Sequence, residues 1–152
     1  MGLIFKDPLH DEFGTLPLAY IPYGGADFGE VAAVGRAVGD GDDSAFYDAW
    51  VGAAKRLAGE AQTLADRGRR ASARELFLRA CCFYGASYRP LFGRPVDARL
   101  VVAFRKQIDA FNKSLALCDP PVGGRTQILP PRPDAVPTAK ATPLPRGAED
   151  EQ

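Results

Sequence analysis

An all-α fold of about four antiparallel helices is predicted for this 152-residue chain, and three observations carry that prediction. Between Gly24 and Cys118 the apolar residues recur at spacings of three and four, the period of one face of a helix. No alternating apolar and polar run of comparable quality argues for a strand. The breaks between periodic runs are short clusters of Gly, Asp and Pro, so consecutive helices should pack as antiparallel neighbours.

The first predicted helix begins near Asp27, where Asp27 and Glu30 have capping-box spacing. Gly39, Asp40 and Gly41 end it. A second starts at Asp43 or Ser44, either of which can cap, and carries Phe46, Trp50, Ala54, Leu57, Ala61, Leu64 and Ala65 on one stripe before Gly68 closes it. The third runs from about Ala71 with Ala73, Phe77, Ala80, Cys81, Tyr84 and Tyr88 on one face, and Pro90 marks its end. The fourth follows Pro95, and its predicted core face is Val101, Phe104, Ile108, Phe111, Leu115 and Cys118. Alanines at 54, 58, 61, 73 and 80 should let the second and third helices approach closely. The spacing Ala73, Phe77, Ala80 matches the second helix of a tetratricopeptide unit, but one unit is visible where a solenoid needs about three.

Three regions follow. Residues 1–23 read as an extended N-terminal segment, 24–118 as the helical domain, and 119–152 as a disordered tail. The tail carries eight prolines from Pro120 to Pro145 and no aromatic residue, too little apolar surface to offset its ordering entropy.

Composition narrows the function. The 19 basic and 19 acidic residues cancel, so no nucleic-acid partner is expected. The start lacks the basic and apolar regions of a secretory leader, and no run of about 18 apolar residues occurs. A cytoplasmic protein without a membrane partner is expected. Cys81, Cys82 and Cys118 form no C-x-x-C pair and His10 is the lone histidine, so neither a metal nor a cofactor is expected.

Candidate chemistry is sparse. Gly85-Ala86-Ser87-Tyr88-Arg89 has the first glycine and the serine of a nucleophile elbow but Arg89 in place of the second glycine, and it lies in a predicted helix. His10 precedes Ser87, against the Ser, acid, His order of an α/β-hydrolase triad. The acidic run Gly39 to Asp43 fails as a calcium loop, with Ala45 at the glycine position and Val51 where the bidentate Glu belongs. The glycines of Tyr20 to Glu30 lack phosphate-loop spacing, and Asp27 puts a negative charge there. Phe83, Tyr84 and Tyr88 with Arg79 and Arg89 fit either a core face or a ligand rim.

Several separated blocks together carry a resemblance. Pro22-Tyr23-Gly24-Gly25-Ala26-Asp27-Phe28-Gly29-Glu30, then Gly41-Asp42 leading to Phe46 and Trp50, then Gly68, Ala73 and Leu78-Arg79-Ala80, then Asp119-Pro120-Pro121, follow one another in the order of a known family. Over Met1 to Pro121 the chain resembles the N-terminal helical region of bacterial α/β-hydrolases related to dihydroxypseudooxynicotine hydrolase and the fermentation-respiration switch esterases, often labelled acylaminoacyl-peptidase-like. Phe46 stands where Trp is more usual, and Cys81-Cys82 where a small polar pair is. The resemblance implies a cap that covers the active site and helps select substrate, with the triad in a catalytic domain that follows. Here the proline-rich stretch comes next. The expectation is therefore a truncated hydrolase-family protein without hydrolase activity of its own, with no catalytic residue and with Arg79, Tyr84 and Tyr88 as a substrate-facing rim. A cap without its catalytic domain should expose apolar surface, and the expectation is a homodimer through that surface or a marginally stable monomer. The alternative is a small tetratricopeptide-like interaction module.

Overall fold

The computed structural model describes residues 2–122; the predicted tail beyond them lies outside the described residues. Helix α1 (Pro8–Thr15) leads into a 3-10 stretch (Leu16–Tyr23), followed by α2 (Phe28–Val38), α3 (Asp43–Asp66), α4 (Arg70–Ser87) and α5 (Ala98–Ala116). No strand occurs among the described residues, as the periodicity predicts. No helix among them is long and apolar enough to cross a membrane. Helix α4 is central: α3 packs along one side of it, α5 along another, and the 3-10 stretch touches it as well.

The α3–α4 hairpin is built on the predicted stripes. Phe46, Trp50, Ala54, Leu57 and Ala61 of α3 are buried, as are Ala73, Phe77, Ala80, Cys81 and Tyr84 of α4. Ala54, Ala61, Ala73 and Ala80 have no exposed surface, so the two backbones meet closely. Gly68, in the left-handed region at φ 74°, turns the chain between them. Trp50 is the hub of the core, with Phe83 edge-on at 4.9 Å and Phe46 and Phe5 at 6.1 and 6.2 Å. Its buried indole Nε1 has no hydrogen-bond partner among the described residues.

Helix entrances follow the sequence with two corrections. Asp27 caps α2 by accepting from the Glu30 amide at 3.2 Å, and Gly39 ends that helix at φ 56°. Glu30 does not complete the capping box; its Oε1 accepts instead from Arg79 on α4. Helix α3 is capped by Asp42, one residue before the predicted pair, through the Ala45 amide at 3.0 Å. That arrangement leaves Asp43 free to meet His10 across the fold.

The N-terminal segment is helical where an extended chain was predicted. Asp7 accepts from the amides of Leu9 and His10, and Pro8 occupies the first turn, where its missing N–H costs nothing. Upstream, Asp11 gathers the amides of Leu3, Ile4 and Phe5 at 2.8 to 2.9 Å, which folds the first residues back over α1. The Phe5 ring is thereby buried beside Gly14, where a Cβ would collide with it. His10 Nε2 donates to Asp43 Oδ1 at 2.8 Å, and its ring lies 4.6 Å from that of Phe46. The helical body thus reaches back to Phe5. An eight-residue helix bounded by prolines shows too few turns for its period to stand out.

Burial pushes the Asp11 carboxyl up, but the three donated backbone N–H bonds outweigh it and hold its pKa below the ordinary 3.8. A depressed folded-state pKa gives stability that is present above the unfolded value and lost as pH falls through the folded one. Asp11→Asn is therefore expected to lower the Tm at pH 7, with the gap to wild type closing below about pH 4. Thermal melts of both proteins at pH 7 and pH 3 check this; a gap no smaller in acid counts against the Asp11 bonds to the Leu3, Ile4 and Phe5 amides.

Helix α5 presents a different face to the core than predicted. Its buried residues are Ala103, Ala110 and Ser114, with Gln107 half-buried on the same side. Val101, Phe104 and Phe111 of the predicted face are instead 39, 45 and 40% exposed, and Ile108 and Leu115 are half-buried. The reason is proximity. A Cβ at Gly85 would sit 3.0 Å from Gln107 Nε2, and so close an approach of α5 to α4 is possible only with small side chains between them. Tyr47 of α3 donates to the Arg99 carbonyl at 3.2 Å, with the Arg99 guanidinium 5.4 Å from the Tyr47 ring, and this fixes the start of α5.

Candidate functional site: an apolar cleft beside helix α4

A cleft of about 280 Å³ opens between the 3-10 stretch, α4 and α5. Leu78, Cys81, Cys82 and Gly85 of α4 form its floor, Tyr20, Tyr23 and Gly25 one wall, Gln107 and Phe111 the other, and Arg89 also borders it. Tight backbone approach shapes the floor: a Cβ at Gly25 would lie 2.9 Å from Cys82 Sγ. Gly24, at φ 72°, makes the turn that sets Gly25 there.

The lining is aromatic and aliphatic with few polar groups. Burial, then the neighbouring Cys82, pushes the Cys81 thiol up to about 12, against a weaker lowering by Gln107. Burial alone raises Cys82. Both are protonated at neutral pH and are poor nucleophiles. Ser87 is fully buried and its Oγ donates to the Tyr84 carbonyl at 2.7 Å, while His10 is engaged with Asp43. Neither partners the other. Among the described residues no group of three His, Cys, Asp or Glu could hold a metal ion. The arrangement suits binding of a flat apolar group, with Arg89 and two phenols to orient a polar end.

The predicted rim residues are distributed. Tyr88 donates to Gln107 Oε1 at 2.6 Å and lines a neighbouring hollow of about 320 Å³ with Phe13, Leu91 and Phe92; Arg89 borders both spaces. Tyr84 is 4% exposed and sits in the core, with the Lys106 ammonium 6.0 Å from its ring. Arg79 reaches to Glu30 of α2 at 3.2 Å, both side chains mostly buried. The structure adds Tyr20, Tyr23, Gln107 and Phe111. The first two lie in or beside the glycine run that the sequence singles out, which reads as a helix lead-in because its spacing fits no phosphate loop. Gln107 and Phe111 become visible as wall residues only once the rotation of α5 is known.

The Arg79–Glu30 pair leaves Arg79 Nε and Glu30 Oε2 buried without partners among the described residues. Removing one member strands the other charge, whereas replacing both with apolar residues removes the problem. Arg79→Ala is expected to cost about 2 kcal/mol, and Glu30→Leu with Arg79→Met to restore most of it. Denaturant melts of the set check this; equal losses in single and double variants would show that the pair is not coupled.

No family model matches the chain, and no solved structure matches it. Curated proteins do. Hydrolase acrC of Aspergillus aculeatus is 37% identical over 114 residues, 75% of this chain and 26% of that protein. The 20-hydroxy-prefusarin hydrolase FUS2 of Gibberella moniliformis is 31% identical over 102 residues, covering 67% of this chain and 24% of FUS2. Hydrolase LUC6 of a Fusarium species is 33% identical over 105 residues, with coverage of 67% and 24%.

The chain is related to hydrolases. It spans about a quarter of the length of the curated relatives it matches. Within residues 2–122 the helical body holds this cleft, and Ser87 and His10 are not paired with each other.

Proposed function

We propose that this helical body is the substrate-selecting, cap-like region of a hydrolase-related protein and has no hydrolase activity by itself. The observation that carries this reading is a conjunction. Kinship to proteins named hydrolases covers two thirds or more of the chain, yet within the described residues Ser87 is sealed in α4 and His10 is committed to Asp43. Any hydrolytic triad would draw on groups outside residues 2–122. The cleft beside α4 contributes selection, accepting an apolar group against Tyr20, Tyr23 and Phe111, with Tyr88 and Arg89 at the adjoining rim. Arg79, paired with Glu30, and Tyr84, buried in the core, are not placed at that rim. Activated aryl esters and amides presented to the purified chain should show no turnover above background. Turnover that disappears in Ser87→Ala would overturn the proposal.

One observation favours a second reading, a small helical interaction module: the outward apolar stripe on α5. On that reading the chain binds a partner there. Recovery of a specific partner from the source cell favours the module, whereas light scattering tests the homodimer of the cap reading, which a monodisperse, thermally stable monomer removes.

A further inference from the structure

Arg89 stands where three apolar spaces meet. It borders the cleft of about 280 Å³, the neighbouring hollow of about 320 Å³ beside Phe13 and Phe92, and a small recess between Leu16, Pro17 and Tyr20. Among the described residues no other charged side chain lines any of the three, so no carboxylate faces it there. Its backbone is pinned just past the end of α4: the Arg89 amide donates to the Ala86 carbonyl at 3.3 Å, and the buried Pro90 follows. The guanidinium is exposed and makes no hydrogen bond or ion pair among the described residues, unlike those of Arg70, Arg79 and Arg99, which hold the Ala116 carbonyl, Glu30 and Asp97. Proximity to the C-terminus of α4 favours a positive charge, but an arginine on the outer side of that turn would satisfy the helix dipole equally well.

The other polar groups of the cleft walls can also donate. The Tyr88 hydroxyl occupies Gln107 Oε1 at 2.6 Å, which turns Gln107 Nε2 toward Gly85 on the floor. The Tyr20 and Tyr23 side chains, 51 and 76% exposed, leave their hydroxyls at the mouth. Resting on the reading of this cleft as the substrate-selecting surface, we propose that it takes an aromatic carboxylate, with the ring against Tyr20 and Phe111 and the carboxylate on Arg89. A planar guanidinium offers parallel N–H donors that match the two carboxylate oxygens, and apolar walls on both sides strengthen that pairing. A neutral ligand would leave the guanidinium unpaired, and a cationic one would be repelled. The volume lies at the low end of the roughly 300–1,000 Å³ of small-molecule sites and suits a compact ring system.

NMR titration of the full chain with naphthylacetate, and with naphthylacetamide as its uncharged counterpart of the same shape, tests this. Both should shift the Gly25, Cys82 and Gly85 amides, and the acid should bind about five- to tenfold more tightly. Arg89→Gln should abolish that difference while leaving the affinity for the amide unchanged, and Arg89→Lys should retain part of it. The comparison of acid with amide on the unaltered chain requires no variant to fold. Equal affinities, with the same three amides shifting, would overturn the carboxylate and leave the cleft as a binding surface. A preference for the acid that survives Arg89→Gln would overturn the role of Arg89. No shift of those amides with either compound would overturn the proposal together with the reading of the cleft.

Discussion

Trp50→Ala is expected to remove about 3–5 kcal/mol of stability, a large part of the roughly 5–15 kcal/mol that holds a small domain folded. Trp50 is fully buried and touches three aromatic rings drawn from the N-terminal segment, α3 and α4, so truncation opens a void where three elements meet. Trp50→Phe keeps a ring in that space and removes the unpartnered Nε1, so its loss should be much smaller. Circular dichroism melts of the two variants check both statements. A tryptophan whose removal cost less than 1 kcal/mol would mean the three elements do not share a core there.

Gly14→Val is the second large effect. The Cβ of any other residue at 14 would collide with the Phe5 ring, and Phe5 is held from behind by Phe46 and Trp50. The ring cannot yield without losing those contacts, so about 1–3 kcal/mol of overpacking is expected. The loss should reach Asp11 as well, whose three amide donors sit on the backbone that carries Phe5. Phe5→Ala combined with Gly14→Val should cost less than the sum of the two singles, because the void made by one accommodates the other. Additive losses in denaturant melts would exclude the close contact.

The hairpin at the centre was legible in the sequence because its signals agree. Phe46, Trp50, Ala54 and Leu57 share one helical stripe, Ala73, Phe77 and Ala80 share the facing one, and Gly68 sits at the turn. Periodicity fails in a specific way on α5. It shows which residues share a side of a helix and leaves open which side meets the core; Ala103, Ala110 and Ser114 form a second, smaller stripe that packs because α4 comes so near. In α1 the Asp-Pro signature was present, but eight residues give barely two turns of pattern. The cleft was the least legible. Tyr20 and Tyr23 stand in a stretch whose glycines draw attention to phosphate chemistry, and their wall partners Gln107 and Phe111 come from a helix more than 80 residues later.

The three-residue link from Arg67 to Arg69 between α3 and α4 has a kinetic consequence. Contacts in this hairpin join residues near in sequence and incur little loop-closure entropy, so the hairpin can assemble early along the folding route. Phe5 and His10 must instead find Trp50 and Asp43 across more than thirty intervening residues. Docking of the segment that carries Phe5 and His10 therefore belongs after the rate-limiting step. Changes at Gly14 should act on the unfolding limb of a chevron plot and leave the refolding limb nearly unmoved, while changes at Ala73 or Ala80 slow refolding itself.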